Sequence, residues 1–189
     1  MTGGKVRLSR GWDDILPYST ANAQGVAGLA NAQYGTTGFQ LYKWVDSVAA
    51  DETFQFAFQM PHRMSEGSDV HFHLHVIPSA NGAGGNNVVR LQYDYQWVNI
   101  DAAFSTTTNT TIAAASYTVG AADANVHKLW EPAALSGSGK TYSSGLIMRV
   151  TRLSKTDAVD DYTGDIWLLF ADLHVEINAL GSISETVVI

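Results

Sequence analysis

The chain contains no cysteine. Disulfide staples, thiolate zinc sites and cysteine nucleophiles are thereby excluded, while the redox compartment stays undetermined, because a chain without cysteine is at home in any. Charge is scarce as well: 15% of the residues are Asp, Glu, Lys or Arg, against about 25% in an ordinary soluble domain. Basic residues are the scarcer kind, 11 against 18 acidic ones, for a net charge of −7. A surface that coats nucleic acid clusters Lys and Arg against phosphate, and here they are scattered. No apolar run approaches the ~18–20 residues that span a bilayer, and MTGGKVRLSRGWDD lacks the apolar core of a secretory signal. We therefore expect no nucleic-acid partner, no membrane partner and no export signal. A surface so poor in charge fits one covered by neighbouring subunits, and fits an ordinary β-rich composition equally well.

What is present is apolar and alternating. Hydrophobic residues make up 46% of 189 positions, enough for one domain that buries roughly 70% of its unfolded surface. Residues 1–38 differ from the rest. The patch GWDDILPYS is followed by ANAQGVAGLANAQYGTTG, small, Gly-rich and without a sustained period, which predicts an extended N-terminal arm. Trp12, Ile15, Leu16 and Tyr18 are too apolar to leave in water, so they should dock on the body of the domain or on another subunit. From Phe39 to the end, about eight runs alternate with period two between turn residues. TFQFAFQMP places Phe54, Phe56 and Phe58 on one face. DVHFHLHVIP places Val70, Phe72, Leu74 and Val76 on one face and His71, His73 and His75 on the other. SANGAGGNN reads as a hairpin loop, and after it Leu91, Tyr93, Tyr95 and Trp97 face together. Near the end Trp167, Leu169, Ala171, Leu173, Val175 and Ile177 alternate. With no convincing amphipathic helix, these runs predict an all-β, antiparallel double-sheet jelly-roll sandwich over 39–189.

The histidines pose the functional question. Cupin jelly rolls hold a metal with a His-x-His pair, whose Cα atoms stand about 7 Å apart on one sheet face. Gly67, His73 and His75 match the first half of the cupin pattern G-x5-H-x-H-x3-4-E-x6-G. The carboxylate should then stand at Ser79 or Ala80, and neither is one. A metal set assembled from His62, His73, His75 and His174 remains an alternative, since imidazoles suit zinc, copper or iron. The simpler expectation is that these imidazoles hydrogen-bond to neighbouring strands or subunits, with no metal and no cofactor, and that those near a subunit contact make assembly sensitive to acid. There is no G-x-S-x-G elbow, P-loop, G-x-G-x-x-G or H-E-x-x-H. Asp160, Asp161 and Asp165 in DAVDDYTGD lack the spacing of an EF-hand loop and read as a solvated turn. We expect no enzyme and no catalytic residue.

Three pieces together resemble a known family. FQFAFQMPHRMSEGSDVHFHLHV supplies Gln59, Pro61 and His62, then Glu66, Gly67 and Asp69, then His73 and His75. GDIWLLFADLHVEINALGSISE supplies Gly164, Asp165, Asp172, His174, Asn178, Gly181 and Ser182. WDDI supplies an opening Trp-Asp-Asp-Ile step. Their order and spacing resemble virion structural proteins of tailed bacteriophages; the stretch from Asp101 to Ser144 carries no matching motif, and ETVVI lacks the basic residues that often close the relatives. The resemblance implies a jelly-roll body, a place on the outer surface of the capsid and no catalytic residues. It favours a decoration, or cement, protein that clamps neighbouring subunits of the major capsid protein, commonly as a homotrimer. Trp12, Ile15, Leu16, Tyr18, His71, His73 and His75 are then the candidate contacts with the capsid or with other subunits. Two alternatives stay open: a head-fibre or tail-associated receptor-binding jelly roll, with Tyr93, Tyr95 and Trp97 as a sugar platform, and a cupin-like metal-dependent enzyme.

Overall fold

The structure is a computed structural model that describes residues 11–22, 27–46, 50–85 and 87–178. Among them run twelve strands: β1 (Gly11–Ile15), β2 (Ser19–Asn22), β3 (Ala27–Gly28), β4 (Ala30–Gln33), β5 (Gln40–Trp44), β6 (Glu52–Gln59), β7 (Val70–Pro78), β8 (Val88–Val98), β9 (Thr110–Thr118), β10 (Lys128–Trp130), β11 (Gly145–Arg152) and β12 (Ile166–Ile177). Two sheets form. The first has the order β10-β7-β12-β5-β4, and the second β2-β6-β11-β8-β9. β1 joins the first sheet on β12, beside Leu173 to Ile177, while β5 pairs with β12 at Ile166 to Leu168. β3 adds a short parallel pairing to β6 in the second. The eight runs expected from Phe39 onward are β5 to β12, and they interleave as four strands in each sheet, the jelly-roll arrangement of a double-sheet sandwich.

Alternation decides which side chains meet between the sheets. Phe72, Leu74 and Val76 of β7 face Phe54, Phe56 and Phe58 of β6 and Leu91 and Tyr93 of β8, all buried. The Phe72 ring lies 5.5 Å from Phe56 and 5.9 Å from Tyr93, so one side chain bridges both sheets. Truncating such a ring costs about 3–5 kcal/mol, through lost burial and the cavity left behind.

Three expectations change. SANGAGGNN does not close a hairpin: β7 lies in the first sheet and β8 in the second, so the segment crosses the sandwich. Consecutive strands of a jelly roll mostly swap sheets, which a local turn signal does not encode. The register of β12 against β7 shifts between Leu168 and Phe170. One extra residue inverts the alternation, so Ile166 and Leu168 enter the core ahead of the bulge and Ala171, Leu173 and Val175 after it. Trp167 therefore turns outward, against Tyr34 and under the Lys43 ammonium. Finally, the Asp turn is not solvated. Asp160 is buried in a pair with Arg152, Asp161 Oδ1 accepts the Asn87 and Val88 N–H groups, and Asp165 binds Lys43.

The stretch expected as an arm is extended and, where described, runs along the body. β1 edges the first sheet, Pro17 interrupts the ladder because it has no N–H to donate, and β2 continues on the second sheet. β4 then returns to the first sheet beside β5, and the turn from Tyr34 to Phe39 joins them.

Candidate functional site

The outer face of the first sheet gathers His71, His73, His75, His127 and His174 with Asp14, Glu131 and Asp172. On β7, His71, His73 and His75 point away from the core, each half-buried. The pairing register sets Asp172 of β12 opposite His73, and His174 opposite His71. β1 sets Asp14 opposite His174. On the other side β10 pairs with β7, so its flanking residues His127 and Glu131 reach the same face.

Contacts between these groups are close. His75 Nε2 lies 3.0 Å from Asp172 Oδ2, and its Nδ1 lies 2.7 Å from His127 Nε2. The His75 ring also stacks on Phe170, with centroids 4.2 Å apart; Phe170 lies beyond the bulge, on the same outward phase of β12 as Asp172 and His174. His73 Nδ1 lies 3.1 Å from Asp172 Oδ1, and its Nε2 lies 3.6 Å from Glu131 Oε2. His71 Nδ1 meets the other Glu131 oxygen at 2.5 Å. Trp12 covers the end of the cluster, its ring 4.7 Å from His174 and 5.7 Å from His71. Between Trp12, His71, His73, Glu131 and His174 opens a cleft of about 280 Å³.

Asp172 holds the centre. Burial pushes its carboxyl above the usual carboxylate range, and the adjoining imidazoles of His75 and His73 counter only part of that. Burial likewise pulls His75 below the usual imidazole range, against the attraction of Asp172. Both groups are thus biased toward their uncharged forms, as desolvation requires.

No protein-family model matches the chain, and no curated protein does. Among solved structures it is similar to the N-terminal CBM22-1-CBM22-2 tandem domain from Paenibacillus barcinonensis Xyn10C, at 12% identity and TM-score 0.41, over 82% of this chain. The chain spans 46% of that protein's length. Caldicellulosiruptor saccharolyticus CBM27-1, solved in complex with mannohexaose, aligns at 11% identity and TM-score 0.32 over 93% of this chain and 92% of its own. Likenesses this low carry no inference about function.

The residues expected from sequence are distributed as follows. His71, His73, His75 and His174 come together on one face. His62 does not join them; its ring packs 5.7 Å from Tyr142. Trp12 belongs to the cluster, Ile15 packs against the core, and Leu16 and Tyr18 stand in solvent, 64% and 77% exposed. The proposed sugar platform is dismantled: Tyr93 and Trp97 are buried, and Tyr95 packs against the core. His127 and Glu131 join the cluster although neither is among the expected contacts; no second cupin motif surrounds His127, and their only sequence signal is that they bracket the short run KLW. The three pieces that carried the family resemblance turn out to be neighbours. WDDI lies in β1, His-x-His in β7 and Asp-x-His in β12, the strand between them, while Arg63 after Pro61-His62 bonds to Asp13. Gly181 and Ser182 lie outside the described residues.

Proposed function

We propose that the chain is a structural protein of the tailed-bacteriophage virion, a decoration protein that sits on the outside of the head shell and clamps neighbouring major capsid subunits. One observation carries this reading: the three sequence pieces that resemble virion proteins, drawn from both ends and the middle of the chain, converge on adjacent strands β1, β12 and β7. Their adjacency supports reading them together as parts of one surface. One further feature supports docking, and another weakens the sugar-binding alternative. Leu16, Tyr18 and Phe39 are 64%, 77% and 71% exposed, and taking apolar side chains of this size out of water favours contact by up to about 1.5–3 kcal/mol each, before the cost of association is met. Burial of Tyr93 and Trp97 removes the platform on which receptor-binding through sugars rested.

A clamp that binds only the assembled shell acts by mass action: at a free concentration one hundred times Kd, each site gains about 2.7 kcal/mol. Antibody against the chain should label the heads of particles released by the host that carries its gene. Heads stripped of the chain should open at a lower temperature and recover when it is added back. Labelling confined to tails, or particles that never carry the chain, would overturn the assignment.

A further inference from the structure

Asp172 is more deeply buried than a surface cluster requires. Its side chain is 8% exposed, and its Oδ1 accepts no hydrogen bond although His73 Nδ1 stands 3.1 Å away. Leaving a desolvated carboxylate oxygen without a donor is costly, and native folds keep such an atom where something else satisfies it. The groups around it are cation ligands. His73 Nδ1 faces Oδ1, His75 Nε2 faces Oδ2 at 3.0 Å, and one ligand atom from each of the three residues lies within 4.8 Å of the others. In a tetrahedral site with metal–ligand distances near 2.0–2.1 Å, neighbouring ligand atoms are about 3.3 Å apart.

We propose that His73, His75 and Asp172 bind a divalent transition-metal ion of the zinc, cobalt or nickel type. Two imidazoles and one carboxylate form a mixed nitrogen and oxygen set, which suits these ions and not magnesium or calcium, whose sites are built from oxygens. Outer contacts orient the ligands. His127 holds the far nitrogen of His75 at 2.7 Å, which fixes the ring with Nε2 turned toward Asp172. Glu131 stands 3.6 Å from the far nitrogen of His73. An acceptor behind a ligating imidazole fixes the ring and raises its basicity toward the ion, and Glu131 is placed on that side of His73. The adjoining cleft of Trp12, His71, His73, Glu131 and His174 touches this set only through the His73 ring. A second group, Asp14, His73 and His174, shares His73 but is looser. Its Asp14 side chain is 69% exposed and stands 4.0 Å from His174 Nε2, so the ion is assigned to the buried carboxylate.

The test is calorimetric titration of the metal-free full chain with zinc(II), paired with cobalt(II), whose visible bands report four-coordination. One equivalent per chain is expected. His75→Ala and Asp172→Asn should each weaken binding by more than the roughly 10–100-fold that Glu131→Gln should cost. His174→Ala should leave it in place. Because Asp172 is buried, His75→Gln is included as a second ligand variant at a less buried position. Absence of binding, binding unmoved by both His75 variants, or loss in His174→Ala with retention in His75→Ala would each overturn the assignment. Capsid binding is read in a separate assay, so failure of one proposal leaves the other standing.

Discussion

Arg152 gives the sharpest test of how the fold holds β12. Its side chain is fully buried, and each of its three nitrogens has a partner: Nε and Nη2 grip the two Asp160 oxygens at 3.1 and 2.9 Å, Nη1 reaches Gly164 O at 2.9 Å, and Nη2 also reaches Tyr162 O at 2.5 Å. The guanidinium therefore ties the end of β11 to the loop that feeds β12, the strand of Asp172 and His174. Arg152→Met removes the cation and strands a carboxylate that is 1% exposed. Breaking a buried pair from one side costs about 3–5 kcal/mol. For a chain of this length 1 kcal/mol moves Tm by about 2–4 °C, so we expect a fall of roughly 6–20 °C by calorimetry or circular dichroism. Arg63→Ala is the control. Arg63 pairs with Asp13 but its side chain is 54% exposed, so the same assay should register at most about 1 kcal/mol. Adding Asp160→Asn to Arg152→Met should recover much of the loss, because the amide oxygen can still accept the Arg90 N–H that now bonds Asp160 at 2.9 Å. A Tm for Arg152→Met no lower than that of the control, or no recovery in the double variant, would refute the reasoning.

Other perturbations follow from particular contacts. Tyr117 and Tyr93 share a hydroxyl hydrogen bond of 2.8 Å, and burial pushes Tyr117 up to about 12 and Tyr93 well above the ordinary phenol value. A raised folded value favours the neutral form, so the associated stability is whole below about pH 10 and is lost as pH climbs through about 12. Tyrosinate absorbance should show these two ionising last and together with unfolding; early ionisation in a folded chain would contradict this. Gly137→Ala should destabilise by about 1–3 kcal/mol, since an added Cβ would lie 1.7 Å from the Ser68 carbonyl oxygen, where the loop crosses the start of β7. An unchanged denaturant midpoint would show that this crossing is loose. Tyr18→Ala should lower affinity for head shells while leaving Tm within a few degrees, because the side chain is 77% exposed; a large fall in Tm with unchanged affinity would assign it to the fold alone.

Much of the architecture is written in a local period. Alternation in FQFAFQ and VHFHLHV fixes which residues face inward, because successive Cβ atoms of a strand point to opposite sides whatever the strand pairs with. That alone determined the all-β class, the eight principal strands, the Phe54 to Phe58 and Phe72 to Val76 core faces and the shared outward face of three histidines. Pairing lies beyond a local period. His75 and Asp172 are 97 positions apart, and their meeting depends on β7 and β12 being neighbours in one sheet, in one register. The tertiary structure likewise sent SANGAGGNN across the sandwich, placed a bulge that turned Leu168 in and Trp167 out, excluded His62 from the cluster and brought in His127 and Glu131. Each of these follows from long-range strand order and register, which a sequence sets only through the packing of the whole core.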